Sequence, residues 1–386
     1  MVTHLTTRKY PMPETLQTSK LTAANRVVLK IGSALLVEND LLRMAWLKAL
    51  TADIAALKAD GKQVILVSSG AVALGLSDLG LKTRSNRLED AQAAAAVGQI
   101  KLAQAYQNEF AANDITIAQI LLSIDDLEHR PRYLNARNTV ETLLDKGIVP
   151  VINENDTVAT SEIRFGDNDR LAARVAQLMR ADLLVLLSDI DGLYSADPRR
   201  NSDAEFIEHV DNISADVEAM AGPPAEVTVG TGGMVTKVMA AKIALAGGCS
   251  MLIMDGRENA PIQRLQSGER GTIFTAASDP LTLRKQWIQG MMAPRGFVHL
   301  DEGAVAALKK GASLLPAGVT SVEGSFQRGD LVACMGPDGK LVAQGLVSYD
   351  SEDADRIAGV KSADVIHILG YVGRANLIHR DDLVLM

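Results

Sequence analysis

Cysteine is almost absent from this 386-residue chain: only Cys249 and Cys334 occur, far apart and in unlike surroundings. Two such residues build neither a disulfide framework nor a zinc site, and a reducing, cytoplasmic location suits them. Long apolar runs are missing as well. The longest clean one, Leu183-Leu184-Val185-Leu186-Leu187, has the length of a strand and falls far short of a membrane span. The residues up to about Asn25 are rich in Thr, are broken by Pro11 and Pro13, and lack the apolar centre of a secretory signal. They read as a loose N-terminal extension. Positive charge is also in deficit, 39 Lys and Arg against 47 Asp and Glu for a net −8. That sign argues against a general binder of nucleic acid or anionic membrane, so any anionic substrate must be met by local cations. No repeat of solenoid period is present.

What is there has the makeup of a soluble globular protein, with a length that favours two or more domains. From Arg26 onward, short β-branched runs alternate with Ala- and Leu-rich segments of helical period, the pattern of a parallel sheet covered by helices. Strands are expected at Val27–Ile31, Val64–Val67 and Ile115–Ile120, and near Ile148, Leu183 and Met251. Helices are expected over about Leu41–Asp60, Leu88–Ala112 and Tyr133–Asp145, and from Leu171 and Met234. After Gln289 the character changes to short alternating strands with many glycines. Leu331–Met335 and Leu341–Gly345 flank the turn signal Gly336-Pro337-Asp338-Gly339. The expected organisation is an extension over 1–25, an α/β domain over 26–280, a linker over 281–293 and a small β-rich domain over 294–386.

Chemistry concentrates in one polar run. Ile152-Asn153-Glu154-Asn155-Asp156-Thr157, followed by Gly166-Asp167-Asn168-Asp169-Arg170, sits between an apolar strand and a helix-like segment. In an open α/β sheet that passage delivers side chains to the crevice beyond the strand ends, where ligands bind. Such acids and amides can fix the ammonium and carboxylate of a small zwitterion. A helix cap supplied by Asn168 or Asp169 is the simpler reading, but capping needs one such residue and not this many. Four turns at strand ends add to the run. Lys30-Ile31-Gly32-Ser33 ends the first strand on a lysine, and Ser68-Ser69-Gly70-Ala71 offers hydroxyls and backbone donors suited to an anion. Ser188-Asp189 ends the five-residue apolar strand. Thr231-Gly232-Gly233-Met234-Val235-Thr236-Lys237 lacks the spacing of the G-x-x-x-x-G-K-[ST] phosphate loop. It still combines bare backbone donors, a helix start and a cation.

Together these segments resemble the amino-acid kinase family, and within it the members that act on free glutamate. The resemblance is carried by Val28-Leu29-Lys30-Ile31-Gly32-Ser33, Ser69-Gly70-Ala71, Ile152 to Asp156, Gly166 to Asp169, Gly192-Leu193-Tyr194 with Asp197-Pro198-Arg199, and Thr231-Gly232-Gly233-Met234 with Thr236-Lys237. It spans about Arg26 to Thr275. Asp301-Glu302-Gly303-Ala304, Ser313-Leu314-Leu315-Pro316 and Leu369-Gly370-Tyr371 look like the PUA domain that follows the kinase domain in many bacterial relatives. Ser188 stands where the family often has Thr, which keeps the hydroxyl, and the N-terminal extension goes beyond the family's usual start.

The resemblance implies an open, mainly parallel sheet sandwiched by helices, with a small PUA domain after it. It implies ATP-dependent phosphorylation of the γ-carboxylate of L-glutamate to glutamyl 5-phosphate, for proline synthesis. It assigns catalysis to Lys30 and Lys237, with Asp169 holding them. Ser69, Gly70, Asp156 and Asn168 are its glutamate residues, supported by Asn153 and Asp167. Ser188, Asp189 and the residues Thr231, Gly232, Gly233, Met234, Val235, Thr236 and Lys237, with Lys30, are its ATP residues. Magnesium is expected on the nucleotide and no protein metal ligand is assigned. Proline as feedback inhibitor and a homo-oligomer follow from the same resemblance. Two rivals remain: a sibling kinase acting on aspartate, N-acetylglutamate, carbamate or a nucleotide monophosphate, and an RNA-binding protein acting through the PUA domain. From Arg295 to Met386, nine Lys and Arg stand against twelve Asp and Glu, a balance of −3 and the wrong sign for tracking phosphates.

Overall fold

The computed structural model describes residues 15–81, 87–158, 168–222, 233–279, 282, 285, 294–371 and 373–386. They form two compact units, one of residues 1–127 and 137–277 and one of residues 128–136 and 278–386.

The first unit is built on an eight-stranded sheet. In chain order its strands are β1 (Arg26–Ile31), β2 (Gln63–Val67), β3 (Ile117–Leu122), β4 (Val149–Glu154), β5 (Leu183–Ser188), β6 (His209–Val210), β7 (Ser250–Asp255) and β8 (Gly271–Phe274). Their order across the sheet is β6-β8-β7-β5-β1-β2-β4-β3. Every pair is parallel except β7 with β8. The central strands read as near-continuous apolar runs because both of their faces are covered, as parallel sheets require. From β1 the chain steps outward to β2, visits the edge at β3, returns to β4, and then crosses to β5 on the other side of β1. The direction of winding therefore reverses between β1 and β5, and the crevice beyond their carboxyl ends is the natural place for a ligand.

Alternation along β1 decides which residue meets which helix. Val27, Leu29 and Ile31 join a core with Trp46, Leu47, Leu50 and Ile54 of α2 (Met44–Ala59) and with Leu102, Tyr106 and Phe110 of α4 (Leu88–Ala111). Val28 and Lys30 have the opposite parity and point to the other face. That face is covered by α6 (Asn168–Leu178), which packs on β1 and on α7 (Met234–Ala246). A lysine is thus delivered to the first turn of a helix.

The short helix α3 (Ala71–Leu76) lies against α4 with almost no separation. A Cβ on Gly98 would stand 1.8 Å from the Ala71 carbonyl oxygen, and one on Gly75 would stand 1.9 Å from that of Ala94. Two glycines facing two backbones fix the position of α4 along α3, and α3 opens directly from the Ser69-Gly70 turn. Alanine at an ordinary helix position would add about 1 kcal/mol over glycine. At position 98 the obstacle is backbone and cannot swing aside. Gly98→Ala is expected to lower stability by about 1–3 kcal/mol, the usual cost of overpacking, read as a fall in Tm.

Several expected boundaries shift for local reasons. The helix expected from Leu41 begins at Met44, because Val37–Glu38 and Leu41–Leu42 pair as a hairpin. Its two turn residues, Asn39 and Asp40, have φ of 50° and 61°, as a two-residue turn of this kind demands. The strand expected at Ile115 starts at Ile117, since the Ile115 N–H is spent closing the end of α4 on the Phe110 carbonyl. The N-terminal extension is not loose throughout. Leu16–Ala23 is a helix, α1, capped by the Thr15 side chain, with Leu21 buried in the core. The polar run is also not all loop. Ile152, Asn153 and Glu154 are the last residues of β4, and the helix expected from Leu171 already begins at Asn168.

The second unit carries its own five-stranded sheet, in the order β10-β9-β11-β12-β13, from β9 (Gly296–Leu300), β10 (Val319–Gly324), β11 (Leu331–Met335), β12 (Leu341–Leu346) and β13 (Leu383–Leu385). β11 and β12 form the expected hairpin around residues 336–339. Val298, Leu314, Phe326, Val332, Tyr349 and Leu377 lie in a core separate from that of the first unit.

Candidate active site

The carboxyl end of β1 meets the first turn of α6 through a buried triad. Lys30 Nζ lies 2.5 Å from one oxygen of Asp169, and Lys237 Nζ, from the first turn of α7, lies 3.1 Å from the other. All three side chains are buried, Asp169 to 2 % exposure. The Thr236 hydroxyl also donates to Asp169, at 3.0 Å. Burial pushes the Asp169 carboxyl up, but Lys30 and then Lys237 outweigh it and hold the group well below the usual carboxylate range. The triad is therefore two ammoniums on one carboxylate, three side chains that sum to one positive charge in a poorly screened place. Such a centre is suited to bring two anions together.

An amide cluster stands beside it. The Asn168 Nδ2 donates to the Ser68 carbonyl at 3.1 Å, to the Ser69 hydroxyl at 2.8 Å and toward Asn153 Oδ1 at 3.4 Å. A carbonyl only accepts, so the amide nitrogen must face it and the Asn168 Oδ1 is turned the other way. That oxygen is buried and has no hydrogen-bond partner among the described residues. A buried acceptor of this kind calls for a donor. Gly70, with φ of 103°, makes the turn that puts the Ser69 hydroxyl here. Asp156 is buried just beyond the end of β4.

The strand ends on the other side carry the remaining turns. Ile31 pairs with Leu187, and Ser188 pairs with Asp255. This places Ser188 as the last residue of β5 and Asp189 just beyond it, beside the Gly32 turn, with the buried Ser188 hydroxyl donating to the exposed Asp189 at 3.2 Å. Gly233 is the N-cap of α7, and a Cβ there would meet nothing within 4 Å among the described residues. Met234 and Val235 open the helix, and Thr236 and Lys237 point back to Asp169.

The structure thus brings together Lys30, Asp169, Thr236 and Lys237 as one group and Ser69, Asn153 and Asn168 as a second. Asp167, Thr231 and Gly232 lie outside the described residues. Asn168 and Asp169 are not mere caps: they stand in the helix and spend their side chains on the site. The sequence reading missed Gln99, whose Oε1 accepts from Asn153 Nδ2 at 2.7 Å, and Tyr106, whose hydroxyl meets that of Ser68 at 3.0 Å. Neither sits in a motif. Among the described residues, no group of three His, Cys, Asp or Glu side chains is arranged to hold a metal. Likewise no described helix is long and apolar enough to cross a membrane.

Residues 25–255 match the amino acid kinase family, and residues 296–369 match the PUA domain. A glutamate 5-kinase of Rhizobium etli is 56% identical over 361 residues, covering 93% of this chain and 92% of that protein. A glutamate 5-kinase of Paramagnetospirillum magneticum is 56% identical over 369 residues, covering 95% and 99%. Among solved structures, a UMP kinase from Ureaplasma parvum aligns with a TM-score of 0.46 at 17% identity, over 65% of this chain and 98% of its own.

Proposed function

The chain belongs to the amino acid kinase family, and from that premise we propose how its residues share the work of moving the γ-phosphoryl group of ATP to the γ-carboxylate of L-glutamate. The product is L-glutamyl 5-phosphate, in the first step of proline biosynthesis. The observation that carries the reading is the buried Lys30–Asp169–Lys237 triad at the carboxyl end of the sheet.

A glutamate side chain, with a reference pKa of about 4.3, is already anionic at neutral pH, so the site needs no general base. Its task is to overcome repulsion between a carboxylate and a negative γ-phosphoryl group held in line. Lys30 and Lys237 supply the opposing charge. Asp169 supplies none of it but orients both ammoniums, and it stays ionised while it does so. The bare backbone at Gly233, with the α7 N-terminus behind it, suits phosphate oxygens, and Thr231 and Gly232 precede it in sequence. Ser188 and Asp189, at the next strand end, take the ribose or base side of the nucleotide. Magnesium, where bound, neutralises phosphate charge. The carboxylate at the centre already holds two lysines, so magnesium is read as a ligand of the phosphates.

The glutamate ammonium is read as the missing donor for Asn168 Oδ1, with Asp156 as its ionic partner. Ser69 and Gly70 offer donors to the α-carboxylate, while Asn153 and Asp167 support the cluster. Asp156→Ala and Asn168→Ala are each expected to raise the glutamate KM about 10-fold or more, with little change in the ATP KM, as loss of a hydrogen bond to a charged group would. Equal effects on the two constants would point to general disruption. The resemblance further supports proline as feedback inhibitor and a homo-oligomeric assembly.

The deciding assay couples ATP consumption to trapping of the acyl phosphate by hydroxylamine, in glutamate and magnesium. Glutamate should react far better than aspartate, N-acetylglutamate, carbamate or a nucleoside monophosphate. Preference for any of these would transfer the chain to a sibling activity.

A further inference from the structure

We propose that Gln99, on α4 and outside every motif of the chain, is a positioning residue for glutamate. It acts by holding the Asn153 amide that backs the Asn168 acceptor. The inference rests on the reading of Asn168 as part of the glutamate pocket.

Backbone groups fix the polarity of this relay. The Glu154 N–H, which only donates, reaches the Asn153 side chain at 2.9 Å, so the Asn153 oxygen faces it. The same oxygen lies 3.4 Å from Asn168 Nδ2. The Asn153 nitrogen is therefore the end that looks toward α4, where it needs an acceptor, and Gln99 Oε1 meets it at 2.7 Å. Asn153 is 2% exposed, so water is a poor substitute. Without Gln99, a buried amide with one end unpaired would rotate or shift, and Asn168 would lose its neighbour. Gln99 is itself held in place by its neighbour in sequence. Gly98 packs against the Ala71 carbonyl with no room for a Cβ, and Ala71 opens the helix that follows Ser69-Gly70. The helix that carries Gln99 is thus registered on the turn that carries Ser69. The nucleotide side contains no part of this relay, and that predicts which kinetic constant moves.

The test compares Gln99→Met, which keeps the bulk and removes the acceptor, with Gln99→Glu, which keeps an acceptor oxygen, in the full-length chain. Steady-state kinetics are run against glutamate and against ATP. Gln99→Met is expected to raise the glutamate KM about 10-fold while the ATP KM stays within about twofold, and Gln99→Glu to recover most of the loss. Gln99 is half-buried, so the variants should fold, and Gln99→Ala repeats the comparison should the methionine pack badly. An unchanged glutamate KM, equal rises in both constants, or a Gln99→Glu variant no better than Gln99→Met would each overturn the proposal. Asn168→Ala separates the two levels. If it leaves the glutamate KM alone, the pocket reading fails and Gln99 with it; if it raises that constant and Gln99→Met does not, only the relay fails.

Discussion

Exchange of Lys30 or Lys237 for methionine is expected to cut turnover by about 10²–10³-fold or more while the chain remains folded, the scale seen when a preorganised transition-state donor is removed. The folded state should survive because of the stoichiometry of the triad. Two ammoniums share one carboxylate, at 2.5 and 3.1 Å, so loss of either leaves Asp169 with the other ammonium, a neutral pair, and the Thr236 hydroxyl. What disappears is the net positive charge of the three side chains, which the proposed mechanism sets against the reacting anions. Circular dichroism and Tm close to wild type, with kcat collapsed, is the expected pair of results. Near-normal turnover in either variant would remove that lysine from the chemistry. The two need not be equal. Lys30 is fixed on a central strand, whereas Lys237 lies one turn from Gly233 at a helix start, so its loss should weigh more on the ATP side.

How much of this was legible in the sequence depends on how local each signal is. The strand and helix alternation of the first unit is written in patterns a few residues long, and its parallel, helix-covered sheet stands as expected. Lys30 stood out as a lysine at the end of an apolar strand beside glycine, a weak signal alone, and its role came through family resemblance. Its partnership with Asp169, more than a hundred residues on, came through family resemblance and not through spacing. Gln99 left no mark at all. A glutamine on an Ala-rich helix looks like any solvated position, and only the Gly98 contact turns it toward Asn153. The hairpin at Asn39-Asp40 was missed for the opposite reason: its signal is local, but the leucines around it mimic the start of a helix.

Removal of Asp169 should do what removal of neither lysine does, and damage fold and chemistry together. Asp169→Asn removes the carboxylate that both buried ammoniums share, and breaking a buried ion pair in this way costs about 3–5 kcal/mol. For a unit of this size the Tm should fall by on the order of 10 °C. Turnover should fall with it, because the lysines lose the carboxylate that aims them. The pH dependence adds a check on the cause. The two lysines depress the Asp169 carboxyl in the folded state against the opposing effect of burial. A group so depressed contributes stability that is fully present above its unfolded pKa of about 3.9 and is lost only as pH falls through the lower folded value. The Tm gap between wild type and Asp169→Asn should therefore be flat from about pH 8 down to about pH 5, and close only in stronger acid, where the wild-type carboxylate is protonated too. A gap that closed between about pH 7 and 6 would mean that some other group, and not the Asp169 charge, holds the two lysines in place.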